Sequence, residues 1–119
     1  MKATHLRRGE EVESASLAYL QSNGLKFVEK NYRSMYGEID LIMMDQHDLV
    51  FIEVRYRKND LFGGATQSIN ANKQQKLRRT AETFLQKNHS MEFDGCRFDV
   101  VAVSGQSENY EIHWLSDAF

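Results

Sequence analysis

Gly37-Glu38-Ile39-Asp40-Leu41-Ile42-Met43-Met44-Asp45-Gln46-His47-Asp48-Leu49-Val50-Phe51-Ile52-Glu53-Val54-Arg55 is the stretch whose reading decides the fold. Two apolar runs of strand length flank Asp45-Gln46-His47-Asp48, a turn by composition. The stretch is therefore a hairpin centred between Gln46 and His47, and residues whose numbers sum to 93 face each other. In that register Asp40 opposes Glu53. Like charges directly opposite on a sheet are unfavourable, so the pair calls for a cation or for chemistry. The register carries the inference: a bulge or an odd loop would move Asp40 off Glu53 and onto the opposite face. Along the later strand Val50, Ile52, Val54 and Tyr56 share one face. Phe51, Glu53, Arg55 and Arg57 share the other, which lines up acid and bases as a site would.

Working outward, the region before the hairpin reads as a helix over Gly9 to Asn23. Glu10, Glu11 and Glu13 stand near its start, where the helix dipole favours acids, and Gly24 ends it. Val12, Ala15 and Tyr19 form its apolar stripe, with Leu20 beside it. Leu25 to Arg33 reads as a strand whose alternation Asn31 weakens, Glu38 to Met44 as a second, and Leu49 to Arg57 as a third. Lys58 to Gln67, with Gly63-Gly64, is a loop. Ser68 to Asn88 is a second helix with Leu77, Ala81, Phe84 and Leu85 as its core stripe. Cys96 to Val103 is an apolar fourth strand around Asp99, and Tyr110 to Leu115 an edge strand. A helix joining the third strand to the fourth suggests a crossover that leaves them parallel or nearly adjacent in a mixed sheet flanked by helices, an α/β architecture.

The 119 residues suit one domain over 1–119, large enough to bury a core without disulfides or a structural metal. Cys96 is the lone cysteine and is expected to be a small buried residue. The apolar runs fall far short of the ~20 residues a membrane-spanning helix needs, and Met1 to Arg8 has no apolar signal core. A cytoplasmic protein without a membrane partner is the expectation. With a net charge of −2 and a pI of about 6.1, bulk charge does not hold nucleic acid to this chain. Any such binding needs a local patch, and the bases do cluster at Arg55, Arg57 and Lys58 and again over Lys73, Lys76, Arg78 and Arg79. Asp99, inside an apolar strand, needs a neighbouring base as partner, and Glu38 is best read as a cap or as a partner of Arg33. His5, His47, His89 and His113 stand at no ligand spacing, and Phe98, Tyr110, Trp114 and Phe119 read as packing.

At Gly37 to Ile42, Val50 to Arg55 and Arg97-Phe98-Asp99-Val100-Val101 the sequence resembles the YraN-like bacterial family. Through it the chain resembles the PD-(D/E)xK nuclease superfamily, and within that the archaeal Holliday-junction resolvases. The match runs over about 9–103, including Gly9-Glu10, Tyr19-Leu20 and Phe62-Gly63. It implies a restriction-endonuclease-like fold and a magnesium-dependent (or Mn2+-dependent) DNA endonuclease acting at branched or structured DNA. By resemblance Asp40 and Glu53 hold the metal, Glu10 completes the site from the helix, and Arg55 stands where the motif has lysine. Arg57, Lys58, Lys73, Lys76 and Arg79 are expected to hold the DNA backbone. A resolvase cuts two strands symmetrically, so a homodimer is the natural expectation.

Arg55 departs from the motif. A guanidinium stays charged and cannot take a proton from an attacking water, although its fork of donors suits a transition-state phosphate. The base would then be metal-bound water, Lys58 or Lys73. The alternative is a non-catalytic nucleic-acid-binding module with a degenerate nuclease site.

Overall fold

A computed structural model describes residues 2–58 and 69–119, with side chains from Arg8 onward. Its elements are α1 (Lys2–Ser22), β1 (Lys26–Ser34), β2 (Gly37–Asp45), β3 (Asp48–Arg57), α2 (Ala71–Lys87), β4 (Gly95–Ser104) and β5 (Glu111–Leu115). The five strands form one sheet in chain order, antiparallel except for β3 and β4, which pair in parallel across the α2 crossover. This is the α/β, mixed, helix-flanked sheet expected from the sequence. Among the described residues no helix is long and apolar enough to cross a membrane.

The hairpin register is the expected one, from Leu41 opposite Ile52 to Asp45 opposite Asp48. A two-residue connection makes this possible, and Gln46 adopts φ 57° to close it. The sheet buries both faces. On one side Leu77, Ala81 and Phe84 of α2 pack on Ile42, Leu49 and Phe51. On the other Val12 and Leu20 of α1 pack on Leu41, Met43, Val50 and Ile52. Phe84 is the hub of the α2 side, meeting Tyr32 and Phe51 edge-on at centroid distances of 5.3 and 6.1 Å.

Four readings need correction. The first helix begins at Lys2, so Glu10, Glu11 and Glu13 lie in mid-helix and the dipole does not explain them. Its buried stripe is Val12, Ser16 and Leu20 at successive i+4 positions, with Ala15 and Tyr19 only half-buried. Ser16 is tolerated there because its hydroxyl donates to the Val12 carbonyl at 2.8 Å. Cys96 is exposed, since the fourth strand emerges from the core at that end. Gly63-Gly64, Phe62 and Ser68 lie outside the described residues. The second helix opens at Ala71, because the Asn70 side chain accepts from the Lys73 amide and caps it at 2.8 Å. Asn70→Ala is expected to cost about 1 kcal/mol in urea denaturation.

Asp99 is fully buried and has the base its position requires. Its carboxylate accepts from Arg97 Nε at 3.0 Å, from Trp114 Nε1 at 2.8 Å and from the Asp117 amide at 2.8 Å. Arg97 also reaches Asp45 at 2.8 Å, so one network ties β2, β4 and β5 together at the end of the sheet where the β2–β3 turn lies. Phe98 stacks between Phe51 and Phe119, and Trp114 packs on the α1-side core, so these aromatics are packing residues.

Candidate metal and phosphate site

The regular pairing of β2 with β3 stops at Leu41 and Ile52, and the candidate site occupies the place where it stops. Two residues apart on a regular strand should share a face, yet Ile39 packs on the α2 side and Leu41 on the α1 side. The strand therefore changes face at Asp40. The Asp40 carboxylate replaces the missing ladder partner by accepting from the Val54 amide at 2.8 Å. Glu53, one residue earlier on β3, stands beside it, so the two acids are neighbours at the end of the ladder and not the directly opposed pair expected from the register.

The electrostatics follow from that crowding. Burial pushes the Asp40 carboxyl up to about 8, and the neighbouring Glu53 charge pushes the same way, against the Val54 amide, which favours the carboxylate. A side-chain contact with Glu53 also favours the protonated Asp40 carboxyl. Glu53, its side chain 14% exposed, forms an ion pair with Lys73 of α2 at 3.4 Å.

On the α1 side a cleft of about 470 Å³ opens onto Asp40, lined also by Arg8, Glu13, Val12, Val54 and Tyr56. Its walls are fastened to the sheet. Arg8 donates to the Tyr56 hydroxyl at 3.1 Å, Tyr56 donates to the Gly105 carbonyl at 2.6 Å, and Tyr110 donates to Glu11 at 3.0 Å.

Glu13 is the acid that the sequence reading missed. It faces the cleft with Asp40 and adds to the field on it, whereas Glu10 is exposed and lines the adjoining depression with Glu13 and Asn31. Burial raises the Glu13 carboxyl above its ordinary range, opposed by a hydrogen bond from Asn31. With its amide turned to donate, Asn31 bridges Glu13 and Glu38 at 3.2 Å, and its φ of 53° marks an irregular β1 beside the site. Spacing alone does not separate the two, because Glu10 and Glu13 are i,i+3 neighbours on one helix face.

The remaining candidates divide by location. Arg55 is half-buried on the strand that carries Glu53, and Arg57 and Lys58 are exposed at its end. Lys73 joins Glu53, while Lys76 and Arg79 lie farther along the exposed face of α2. Glu38 pairs with Arg33 at 3.5 Å.

Among the described residues no three His, Cys, Asp or Glu side chains converge tightly enough to hold an ion by themselves. A two-carboxylate arrangement still fits magnesium, which is commonly held by one or two protein carboxylates with water and substrate phosphate completing the shell. A cation placed beside Asp40 and Glu53 would favour both carboxylates and relieve their repulsion.

Fold and site together define an α/β protein with a crowded pair of acids at the break in a β-hairpin ladder and basic residues around it. The model of the uncharacterised protein family UPF0102 matches residues 12–103, and the chain belongs to that family. It is 49% identical over 112 residues to a UPF0102 protein of Nitrosomonas europaea, covering 94% of this chain and 92% of that one. It is 45% identical over 117 residues to a UPF0102 protein of Nitrosococcus oceani, covering 98% of this chain and 94% of the relative.

Proposed function

We propose that this protein is a divalent-metal-dependent endonuclease that hydrolyses phosphodiester bonds in branched or otherwise structured DNA. The observation that carries the reading is the juxtaposition of Asp40 and Glu53 where the β2–β3 ladder ends, in a cleft shared with Glu13. Asp40 and Glu53 would hold Mg2+ or Mn2+, and Glu13 would orient water at the ion. When bound, the ion supplies an activated water and charge stabilisation for the phosphate under attack.

The chain's own residues do the rest. Val54 fixes the Asp40 carboxylate by its amide, so that oxygen is held before substrate arrives. Arg55 stays cationic and supplies donors to a transition-state phosphate, which is a stabilising role and not that of a base. Lys73 neutralises Glu53 in the resting site and meets the substrate backbone, together with Lys76, Arg79, Arg57 and Lys58. Those contacts are blind to sequence and suit a substrate read by shape.

The test is incubation with labelled duplex, flap and four-way-junction DNA in magnesium, in manganese and in chelator. Cleavage of a branched substrate that chelator abolishes is expected, and cleavage indifferent to chelator would sink the mechanism. One observation favours a second reading, a non-catalytic nucleic-acid-binding module: Arg55 stands where a base would be needed. That reading expects metal-strengthened binding to the same DNA panel with every substrate left intact.

A further inference from the structure

The turn between β1 and β2 presents two large apolar side chains at its tip. Met35 is 89% exposed and Tyr36 is 37% exposed. Neither contributes to a core cluster, so the two form one exposed apolar surface at the tip. The tip is held firmly. Ser34 Oγ pairs with Thr80 Oγ1 of α2 at 3.0 Å and accepts from the Tyr36 amide at 3.0 Å. Gly37 then runs beside α2, where a Cβ would meet Thr80 Oγ1 at an ordinary contact distance of 3.7 Å.

Beside the tip, Asn72, Gln75, Lys76 and Arg79 of α2 line a shallow depression of about 290 Å³ together with Met35 and Tyr36. These four helix positions share one face. The Arg79 guanidinium lies 5.5 Å from the centre of the Tyr36 ring, leaving a partly exposed aromatic surface paired with a cation. Lys73 belongs to the same basic run and touches Glu53. The run therefore leads from the acid pair to the tip over ~9 Å of helix axis. That is roughly two to three nucleotide steps of a DNA strand, at about 3.4 Å each.

We infer that Tyr36, flanked by Met35 and Arg79, is a stacking platform for an unpaired DNA base two to three nucleotides from the scissile phosphate, with Lys76 and Arg79 holding the intervening backbone. This rests on the reading of the Asp40–Glu53 pair as a DNA-cleaving site and names the substrate feature that site prefers: a junction between paired and unpaired DNA. Basic side chains beside an exposed ring are the pairing by which proteins hold single strands, because every base offers a π face and every nucleotide a phosphate. Polar Asn72 and Gln75 in the depression suit the base edge.

The test is binding of the intact protein, in calcium or chelator so that nothing is cut, to fluorescent blunt duplex and to the same duplex with a single-stranded tail. Wild type is expected to hold the tailed DNA about tenfold tighter, in line with the energy of one stacked base. Met35→Ala with Tyr36→Ala is expected to remove that margin and leave blunt-duplex affinity unchanged, while Tyr36→Phe keeps it. Circular dichroism on the same samples establishes that the variants are folded. Equal affinity of wild type for the two DNAs, or an equal loss on both in the double variant, would overturn the platform. Cleavage that still required Asp40 and metal would in that case leave the nuclease reading standing, whereas a tail preference without metal-dependent cleavage would do the reverse. Loss of self-association in the double variant with DNA binding intact would make the tip a protein contact and overturn the inference.

Discussion

Asp40→Asn is expected to abolish metal-dependent cleavage, by at least ~1,000-fold, while making the protein more stable above neutral pH. In the proposed function the first effect follows because Asp40 would be one of only two charged ligands of the ion. The second follows from linkage. The Asp40 carboxyl is raised from 3.8 to about 8 by burial and by Glu53. Below pH 4 it is protonated in both folded and unfolded chains. Between about 4 and 8 the unfolded chain releases that proton and the folded chain retains it. The stability it contributes is therefore fully present below the ordinary aspartate range and is lost as pH rises through 8. Asparagine carries no such proton and keeps an oxygen for the Val54 amide. In chelator, the stability of the wild type relative to the variant should fall from pH 5 to 8.5 with a slope of at most ~1.4 kcal/mol per pH unit. Magnesium at a hundredfold excess over its dissociation constant should add about 2.7 kcal/mol to wild type and nothing to the variant. Urea melts across pH, with and without metal, check the two stability arms, and a cleavage assay checks the first. A variant that bound magnesium as wild type does would remove Asp40 from the site.

Asp99→Ala should be the most damaging single change for the fold, costing about 3–5 kcal/mol. It strands the Trp114 Nε1–H and the Asp117 amide without an acceptor and leaves the Arg97 charge, only 16% exposed, with Asp45 at 2.8 Å and Asp48 at 3.9 Å on other strands of the sheet. The expected fall in Tm is on the order of 15 °C. Asp99→Asn retains one acceptor and should lose less. Equal losses for both variants would mean that packing, and not the charge network, sets the value of the position.

The parts of this molecule that the sequence made legible are those governed by local rules. The hairpin register followed from two apolar runs around a two-residue connection. The parallel β3–β4 pair followed from the helix between those strands, and the partner of Asp99 from the rule that a buried charge must be paired. The site was legible as far as Asp40 and Glu53, for they lie on one hairpin. Glu13 was not, because its approach depends on how α1 lies across the sheet. Starting the helix at Gly9 gave its acids a false explanation, since a helix beginning at Lys2 leaves them far from its positive end. The change of face at Asp40 was equally hidden: Ile39 and Leu41 look alike in sequence and differ only in which helix covers them.

The Val54 amide gives this change of face a practical use. An amide that would ordinarily be committed to a neighbouring strand's backbone is bound instead to the side chain of a site residue. Its hydrogen-exchange rate is thus a non-perturbing gauge of that contact: slow exchange reports an ordered Asp40 carboxylate, and a change on adding magnesium or DNA would report their arrival at the acid pair independently of any product formed.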